Sequence, residues 1–422
     1  MSTFEEVIAG AVADRVIPGV VLLAEDLKGS HYENVLGFGS LAADAPADPL
    51  RLDSVFALLS LSKLVTAVLV LRAAERGLVQ LDADVAPLLP ELAAQAVLTG
   101  WDDDEKPVLE PRTAPITLRL LLTHSSGVGY DFLSPELLRW TAHVQYNSSS
   151  SSPPRTMPSL DKTLPIEQRF AAPLLFQPGA GWVYGAGVDW AGRLLERATG
   201  TALETLLIHD VLVPLGLPAG ALTFYPARYP TTEARLVRSL PMRRTAGSAV
   251  VDRPSPLLAS TDPLGRTAGT ASGGGGLFGD APAFMRLLTA LLRDDGRLLS
   301  STALLFSPQL PSDAARAALL HNTRPPHSAW MVGDIPPTEA YDWSLGGLLV
   351  TQPTNHPWRR PAALLWSGAV NLTWIVDRQA GLCALFAANF LPSADVQGRQ
   401  LMRAWEEHVY ATMGHRAESG NL

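Results

Sequence analysis

Hydrophobic and polar positions at the two ends of the chain predict two pairs of β-strands. After a helical pattern over residues 4–17, VVLLAED and HYENVLGFGS are typical of a hairpin. Near the other end, NLTWIVD, the turn RQAG and LCALFAANF predict a second hairpin, and a helical pattern follows over residues 395–413. We therefore expect one central antiparallel sheet that is built from both termini and flanked by helices.

The middle of the chain has mainly the period of α-helices. Apolar residues recur at helical spacing over residues 58–76, 116–124, 190–212 and 282–296. The Ser/Pro-rich residues 146–159 have no face that could pack, so we expect a loop there.

These patterns predict an α+β fold in two parts. Residues 1–85 and 260–422 are expected to form the α/β sheet domain, and residues 86–259 a mostly helical insertion domain. The active site is expected between them. With 422 residues the chain is long enough to bury a large core of this kind.

Composition and charge argue against several function classes. Hydrophobic residues make up 47% of the chain and charged residues 18%, as in a globular enzyme, and the net charge of −8 gives no reason to expect nucleic-acid or membrane partners. No secretory signal and no apolar run of membrane-spanning length is apparent, so a cytoplasmic protein is expected. The single Cys383 has no disulfide partner and is expected to be a buried thiol.

The apolar stretch LLSLSKLVTAVLVL, residues 58–71, contains one lysine and a serine three positions before it. Residues three apart lie on nearly the same face of a helix, so Ser60 and Lys63 can touch. A serine hydroxyl becomes an effective nucleophile when a base takes its proton, and a lysine in an apolar site can be that base. The alternative is a structural lysine at a helix start whose charged end reaches solvent.

Two observations favour Ser60 and Lys63 as a functional pair. The chain has only four lysines, so nearly all its basic residues are arginines, which cannot act as a base because they stay protonated. A second S-x-x-K pattern, Ser159 to Lys162, lies beside the Ser/Pro-rich loop. There we expect solvent and the adjacent Asp161 to keep Lys162 charged.

Four further segments, in the same order and spacing, resemble the serine β-lactamase-like family. They are ITLRLLLTHSSGVGY, FQPGAGWVYGAGVDWAG, SGGGGLFGD and LLWSGAVNLTWIVD, and the resemblance extends over nearly the whole chain. Within this family of β-lactamases, DD-peptidases, family VIII esterases and acyltransferases, WVYGAGVDWAGRLLERATG and ERGLVQLDADVAPLLPEL are most similar to fungal lovastatin-type acyltransferases. The resemblance implies the β-lactamase/transpeptidase-like fold.

The resemblance also implies a role for individual residues. Ser60 would be the acylated nucleophile, Lys63 its base partner, and Tyr184 the second base, which relays protons to the leaving group and from the acceptor. The backbone N–H groups of Ser60 and Ala369 would form the oxyanion hole, and the strand Trp366-Ser367-Gly368 would bind substrate along its edge. Judged from its own surroundings alone, Tyr184 would be an aromatic core residue.

Other aromatic residues are candidates for a lining around the acyl or acceptor group. These are Tyr130, Trp343, Trp366 and Trp374, and core packing is the alternative for each. For Trp374 core packing is favoured.

Two departures from the β-lactamase pattern change the expected substrate. Trp366-Ser367-Gly368 stands where β-lactamases typically have Lys-Thr-Gly, and Tyr184-Gly185-Ala186 where they usually have Tyr-x-Asn. Both remove polar groups that hold a β-lactam. We therefore expect little β-lactamase activity, with acylation of Ser60 by esters or thioesters retained.

Other motifs carry less information. Gly273–Gly276 lacks the strand and the Lys-Ser/Thr of a phosphate-binding loop and predicts a tight turn beside the active site. No G-x-S-x-G elbow, H-x-H or H-E-x-x-H occurs, so we expect neither an α/β-hydrolase nor a metal site, and no cofactor. His124 is expected to be structural, with its side chain fixing the turn at the helix end.

These observations predict a serine-dependent acyltransferase that moves an acyl group from a thioester or ester to a small, polyketide-like acceptor. The donor could be carried on an acyl carrier protein or coenzyme A. The alternatives are an esterase or lactonase with the same acyl-enzyme, a non-acyl pathway enzyme that depends on Tyr184, and a non-catalytic binder with this fold.

Overall fold

The computed structural model describes residues 3–41, 48–147, 157–245, 247–251, 270–338, 340–353 and 356–414. The strands in this part of the chain are β1 (Gly19–Asp26), β2 (His31–Ser40), β3 (Asp48–Pro49), β4 (Val55–Ala57), β5 (Val97–Trp101), β6 (Pro107–Glu110), β7 (Leu222–Thr223), β8 (Met242–Arg243), β9 (Val250–Val251), β10 (Phe278–Asp280), β11 (Tyr341–Trp343), β12 (Leu348–Val350), β13 (Leu364–Gly368), β14 (Leu372–Asp377) and β15 (Leu382–Ala388).

Helices surround and connect these strands. The α-helices are α1 (Phe4–Ala13), α2 (Ser62–Glu75), α3 (Pro90–Ala93), α4 (Leu118–Leu122), α5 (Pro135–Asn147), α6 (Ile166–Arg169), α7 (Gly187–Thr199), α8 (Leu203–Leu207), α9 (Val213–Leu215), α10 (Pro230–Glu233), α11 (Ala281–Arg293), α12 (Asp313–Asn322) and α13 (Val396–Thr412). Short 3₁₀ turns lie at Leu59–Leu61, Pro158–Leu160, Pro226–Arg228 and His327–Trp330, and a π-helical stretch lies at Ile208–Leu212.

The main sheet is antiparallel and is built from both ends of the chain, as the sequence predicts. Its eight strands have the order β11-β12-β13-β14-β15-β1-β2-β3. Both predicted hairpins are present, with Val20 opposite Leu36 in the first and Trp374 opposite Leu385 in the second. The two hairpins join where β1 pairs with β15, so the N-terminal and C-terminal segments share one hydrogen-bonded layer.

Both faces of the central strands are covered by helices. Thr289 of α11 contacts Cys383 and Glu25 on one face, whereas Trp405 of α13 packs against Tyr32 on the other. This explains why β15 is a continuous apolar run and not an alternating one, since every residue in it is buried. Burial raises the pKa of the Cys383 thiol to about 12, which agrees with the predicted structural thiol.

The predicted helix over residues 58–76 begins as the 3₁₀ turn Leu59–Leu61 and continues as α2. Every residue from Ser62 to Leu71 is buried, so this helix lies in the interior with neighbours on all sides. The first turn of α2 is therefore held rigidly, and it carries the predicted lysine.

The sequence predicts one continuous helix over residues 190–212, and this prediction is wrong because the structure has a break there. α7 ends at Thr199, the next residue Gly200 has a left-handed φ of +64°, and α8 starts at Leu203. A glycine in this conformation terminates a helix at little steric cost, although the apolar period continues past it.

The predicted boundaries of the insertion domain, residues 86–259, remain a prediction. The described part of this segment contains most of the α-helices but also strands β5 to β9. One of these, β7, pairs with β10, which in turn pairs with β4 just before the Ser60 turn. Residues 148–156 of the predicted Ser/Pro-rich loop lie outside the described residues.

In the described part of the chain, no helix is long and apolar enough to cross a membrane. The cytoplasmic location expected from the sequence stays a prediction.

A buried ion pair anchors the segment before β13 to α13. Arg359 donates from Nε to Glu406 Oε2 at 2.9 Å and from Nη2 to Oε1 at 2.6 Å, and both side chains are buried. We predict that Arg359→Met lowers the free energy of unfolding by about 3–5 kcal/mol, because it leaves a buried carboxylate without its partner. Chemical denaturation measures this.

The matched control is the double variant Arg359→Met/Glu406→Leu, which removes both charges. It should recover most of the loss. A single variant as stable as the wild type would show that the pair does not anchor this segment.

Candidate active site

Ser60 lies in a tight turn between β4 and α2. The preceding Leu59 has a φ of +47°, a left-handed conformation that is uncommon for a residue with a side chain. Ser62 stabilises this turn because its hydroxyl donates to the Leu59 carbonyl at 2.5 Å and accepts the Leu277 N–H at 3.0 Å. Ser60 is partly exposed at this turn, whereas Ser62 is fully buried.

The structure brings Ser60 and Lys63 together. Lys63 Nζ lies 3.3 Å from Ser60 Oγ, 3.3 Å from the Tyr130 hydroxyl and 2.7 Å from the Gly274 carbonyl. The ammonium position is also 4.7 Å from the centre of the Tyr184 ring. Lys63 is only 4% exposed, which contradicts the alternative of a lysine that reaches solvent.

The glycine run forms the predicted tight turn beside Lys63. Its Gly273 carbonyl accepts from Thr66 Oγ1 at 2.8 Å, and the next carbonyl, of Gly274, accepts from Lys63. A Cβ on Gly274 would lie 2.4 Å from Asp189 Oδ2. Only glycine fits here, because the backbone must approach a buried carboxylate closely.

Tyr130, which the sequence predicts as a lining residue, is hydrogen-bonded to both Lys63 and Asp189. Sequence reasoning missed Asp189. The Tyr130 hydroxyl donates to Asp189 Oδ2 at 3.0 Å, and Asp189 Oδ1 accepts the Gly274 N–H at 3.0 Å and the Ser272 hydroxyl. Burial, together with the Asp189 carboxylate, raises the pKa of Tyr130 well above its usual value. A carboxylate in the apolar first turn of α7 is the signal that could have found Asp189.

Tyr184 faces Lys63 with its ring, and its hydroxyl contacts Trp366. The Trp366 indole N–H donates to Tyr184 Oη at 2.9 Å, and both residues are buried. Within the described residues, Tyr184 makes this hydrogen bond and none to Ser60 or Lys63. The two predicted site residues Tyr184 and Trp366 are thus adjacent, with the phenol oxygen held by a neutral donor.

His124 fixes the chain segment that carries Tyr184. Its Nδ1 accepts the Gly185 N–H at 3.3 Å, and its own backbone has a φ of +59°. Burial, and secondarily the charge of Lys63, keeps the pKa of His124 well below its usual value, so the ring is neutral. The predicted structural role is confirmed by this contact.

Trp343 packs edge-on against Trp366, with ring centres 4.6 Å apart. Its indole N–H donates to the Leu122 carbonyl at 3.2 Å, so its polar atom holds α4 in place. Trp343 therefore contributes an apolar wall beside Trp366. Trp374 lies opposite Trp366 on β14 and is 2% exposed, as expected for core packing.

The end of β13 lies against the Ser60 turn. β12 pairs with Leu364 and Leu365 only, so Trp366 to Gly368 extend past its end. A Cβ on Gly368 would be 2.9 Å from the Leu58 carbonyl, which makes glycine necessary at this approach. Ser367 is 7% exposed, and Ala369, the predicted second oxyanion donor, follows as an exposed residue.

Comparison with known proteins identifies the family. A family model described as Beta-lactamase matches residues 4–407. The chain belongs to this family. It is 38% identical to lovastatin esterase of Penicillium rubens over 88% of each chain, and 34% identical to monacolin J acid methylbutanoyltransferase of Aspergillus terreus over 95% of this chain and 93% of the relative.

A solved structure confirms the predicted fold. A mutant of simvastatin synthase from Aspergillus terreus superimposes with a TM-score of 0.85 at 34% identity, covering 97% of this chain and 94% of that chain. The relatives of this β-lactamase-family protein thus include acyltransferases and esterases, which act on small-molecule donors and acceptors.

The departures from the β-lactamase pattern have a structural counterpart. Trp366 stands at the position where β-lactamases typically have the lysine of Lys-Thr-Gly, and it donates to Tyr184. The position after Gly185, where an asparagine is usual, is the buried Ala186. The Trp366 N–H is thus engaged by Tyr184, and Ala186 has no polar side-chain atom, so neither residue replaces the groups that hold a β-lactam carboxylate or amide.

The second S-x-x-K pattern lies in an environment that the sequence did not predict. Ser159 is buried and its hydroxyl donates to Asp131. Lys162 Nζ lies 5.6 Å from the centre of the Phe278 ring, and burial followed by the charge of Arg169 lowers its pKa to about 8. Lys162 is therefore partly exposed and not surrounded by solvent as expected, because the adjacent 3₁₀ turn at Pro158–Leu160 buries Ser159.

We predict that Trp366→Phe slows acylation of Ser60 by about 10- to 100-fold. An aromatic ring is kept, although phenyl is smaller than indole, but the hydrogen bond to Tyr184 is lost. Hydrogen bonds to a group that gains negative charge contribute about 1.5–3 kcal/mol. Stopped-flow detection of the thiol released from an acyl thioester gives the rate, because this leaving group, unlike p-nitrophenolate, depends on a proton from Tyr184. Trp182→Phe is the matched control, since the Trp182 indole nitrogen has no hydrogen-bond partner. Equal rates in both variants would contradict a role for the Trp366 N–H.

Proposed function

We propose that this β-lactamase-family protein is a serine acyltransferase. It moves an acyl group from a thioester or ester donor to a hydroxyl of a small, apolar, polyketide-like acceptor through a Ser60 acyl-enzyme. The observation that carries the proposal is the 3.3 Å contact between Ser60 Oγ and the buried Lys63 Nζ. A nucleophile and a base within hydrogen-bond reach, with the base itself held by other groups, are the requirement for covalent acyl transfer.

In the first half-reaction Ser60 Oγ attacks the donor carbonyl while its proton passes to Lys63 Nζ. The negative charge that develops on the former carbonyl oxygen is stabilised by the backbone N–H groups of Ser60 and Ala369. The intermediate then expels the thiolate or alkoxide, which takes the proton of the Tyr184 hydroxyl. The acyl-enzyme then holds Tyr184 as a phenolate and Lys63 as an ammonium. The products are the Ser60 ester and a free thiol or alcohol.

The second half-reaction runs the same steps with the acceptor. Tyr184 takes the proton of the acceptor hydroxyl, the hydroxyl oxygen attacks the Ser60 ester, and Ser60 Oγ leaves with a proton from Lys63. The Trp366 N–H stabilises the phenolate that Tyr184 becomes in the first half-reaction and carries into this step, because it already donates to that oxygen.

The surroundings of the site favour an apolar acceptor. The Tyr184 ring stacks on Trp330 with ring centres 4.9 Å apart, and Tyr130 stacks on Phe132 at 4.9 Å. Phe132 is 43% exposed and Leu160 44%, and a hydrogen bond joins their chain neighbours Asp131 and Ser159. Such a surface can bind an apolar ring system. The name of one relative as a methylbutanoyltransferase also supports transfer, and we propose that the donor is carried on coenzyme A or an acyl carrier protein.

A second candidate is hydrolysis by the same acyl-enzyme, with water as the acceptor. The 38% identity to a lovastatin esterase favours it. The two activities differ only in which molecule reaches the Ser60 ester first.

Intact-mass measurement tests the proposal. Wild type and Ser60→Ala are mixed with short acyl thioesters and p-nitrophenyl esters, then with alcohols or with water alone. We expect a single acyl adduct that requires Ser60 and that alcohols remove faster than water does. Faster removal by water would assign the esterase function, and no adduct or turnover from any donor would contradict acyl transfer.

We predict that Lys63→Arg abolishes turnover although it keeps the charge. Arginine remains protonated at all pH values of interest and cannot take the Ser60 proton. Steady-state ester cleavage measures the loss, expected to be at least about 100-fold. Lys106→Arg is the matched control, because Lys106 lies in an exposed ion pair with Asp104. Full activity in Lys63→Arg would refute the base role.

We predict that Phe132→Ala raises the KM for an apolar acceptor alcohol by about 10-fold or more, since covering a phenyl side chain contributes about 1.5–3 kcal/mol. The acylation rate should stay unchanged. Steady-state kinetics at saturating donor measures both. Phe38→Ala is the control, because Phe38 is 40% exposed on β2, in the opposite half of the main sheet from β13. An unchanged KM would place the acceptor elsewhere.

A further inference from the structure

The buried carboxylate of Asp189 hydrogen-bonds two residues that also contact Lys63, namely Tyr130 and Gly274. Asp189 is 1% exposed, and its Oδ2 accepts the Tyr130 hydroxyl at 3.0 Å while its Oδ1 accepts the Gly274 N–H at 3.0 Å. Tyr130 and Gly274 are in turn the hydrogen-bond partners of Lys63 Nζ, at 3.3 and 2.7 Å. Asp189 does not hydrogen-bond Ser60 or Lys63 itself, so any effect it has on the reaction passes through these two groups.

The chemical nature of the groups around Lys63 fixes which of them donate and which accept each hydrogen bond. A carboxylate only accepts, so Tyr130 uses its single hydroxyl proton on Asp189. The Tyr130 oxygen can then only accept from Lys63. The Gly274 carbonyl also only accepts. Two of the three hydrogen-bonding directions of Lys63 Nζ must therefore carry an N–H.

This arrangement leaves one direction of Nζ for Ser60. A neutral amine has two N–H groups and one lone pair, and with both N–H groups engaged the lone pair points at Ser60 Oγ. After the proton has moved from Ser60 Oγ to Nζ, the ammonium donates along the same line. The base is thus aligned before and after proton transfer without any rotation of the lysine.

We infer that Asp189 is a positioning residue that aims the lone pair of Lys63 at Ser60 by fixing Tyr130 as an acceptor and holding the Gly274 carbonyl. This inference rests on the proposed acyl-enzyme function. It predicts that Asp189→Asn, which is nearly the same size, slows the reaction of Ser60. An amide can donate to Tyr130, and Tyr130 can then turn its proton toward Lys63 and occupy the lone pair.

The experiment measures two reactions of Ser60 in wild type, Asp189→Asn and Tyr130→Phe. One is labelling by a fluorophosphonate, which needs an activated serine but no acyl donor. The other is pre-steady-state acylation by p-nitrophenyl acetate. For both variants we expect both rate constants to fall by about 10- to 100-fold or more, with the apparent affinity for the ester within about threefold of wild type.

Two controls separate positioning from a structural role. Ser272→Ala removes another hydrogen bond to Asp189 Oδ1 but leaves both partners of Lys63 in place. Asp210→Asn makes the same chemical change at another buried carboxylate, which is paired with Arg76 away from the site. Both controls should react within about threefold of wild type. Thermal unfolding checks that every variant is folded.

Each outcome decides the inference. If the rate constants of both Asp189→Asn and Tyr130→Phe decrease by less than tenfold, the inference is overturned. It is also overturned if Ser272→Ala decreases them as much as Asp189→Asn does. If Asp189→Asn does not fold, Tyr130→Phe alone decides. A wild type that is labelled by the fluorophosphonate but cleaves no ester contradicts the proposed function while the labelling rates still test Asp189. A wild type without label at Ser60 overturns both.

Discussion

The structure depends on placing one amine in the protein interior with a hydrogen-bond partner in each of three directions. Lys63 Nζ has three such partners, from the turn before α2, the segment after α4 and the glycine turn before β10. A buried charge without partners would cost several kcal/mol. The surrounding segments must therefore meet within hydrogen-bond distance of one atom, which constrains how the helices pack on the sheet.

The sequence predicted the elements whose signal is local. The terminal hairpins, the helix after Ser60 and the turn at Gly273–Gly276 could be inferred because apolar period and turn residues lie within a few positions. Ser60 and Lys63 could be paired because they are three residues apart on one helix. The break at Gly200 also had a local signal, the glycine itself, but the longer apolar period outweighed it.

What could not be predicted depends on contacts between distant segments. Asp189 is 59 positions from Tyr130 and 85 from Gly274, so no spacing pattern connects them. The bond from Trp366 to Tyr184 spans 182 positions. The environment of Lys162 likewise depends on how its segment packs near Phe278 and Arg169, which no nearby residue indicates. Composition indicates how polar each segment is, but it does not indicate which distant segments pack against it.

Trp366 stands beside Tyr184 at the position where β-lactamases typically have a lysine. This difference affects how substrate preference can change. A cation at this position would select for anionic donors, and altering that preference would disturb the group that supports the tyrosine. An indole supports Tyr184 without any charge, so the chemistry does not depend on the sign of the substrate. In the proposed reaction, selectivity then depends on surface side chains such as Phe132, which stacks on Tyr130 and is 43% exposed. Substitutions there can retune the acceptor while the reacting groups stay fixed, which favours divergence of related enzymes onto new alcohols.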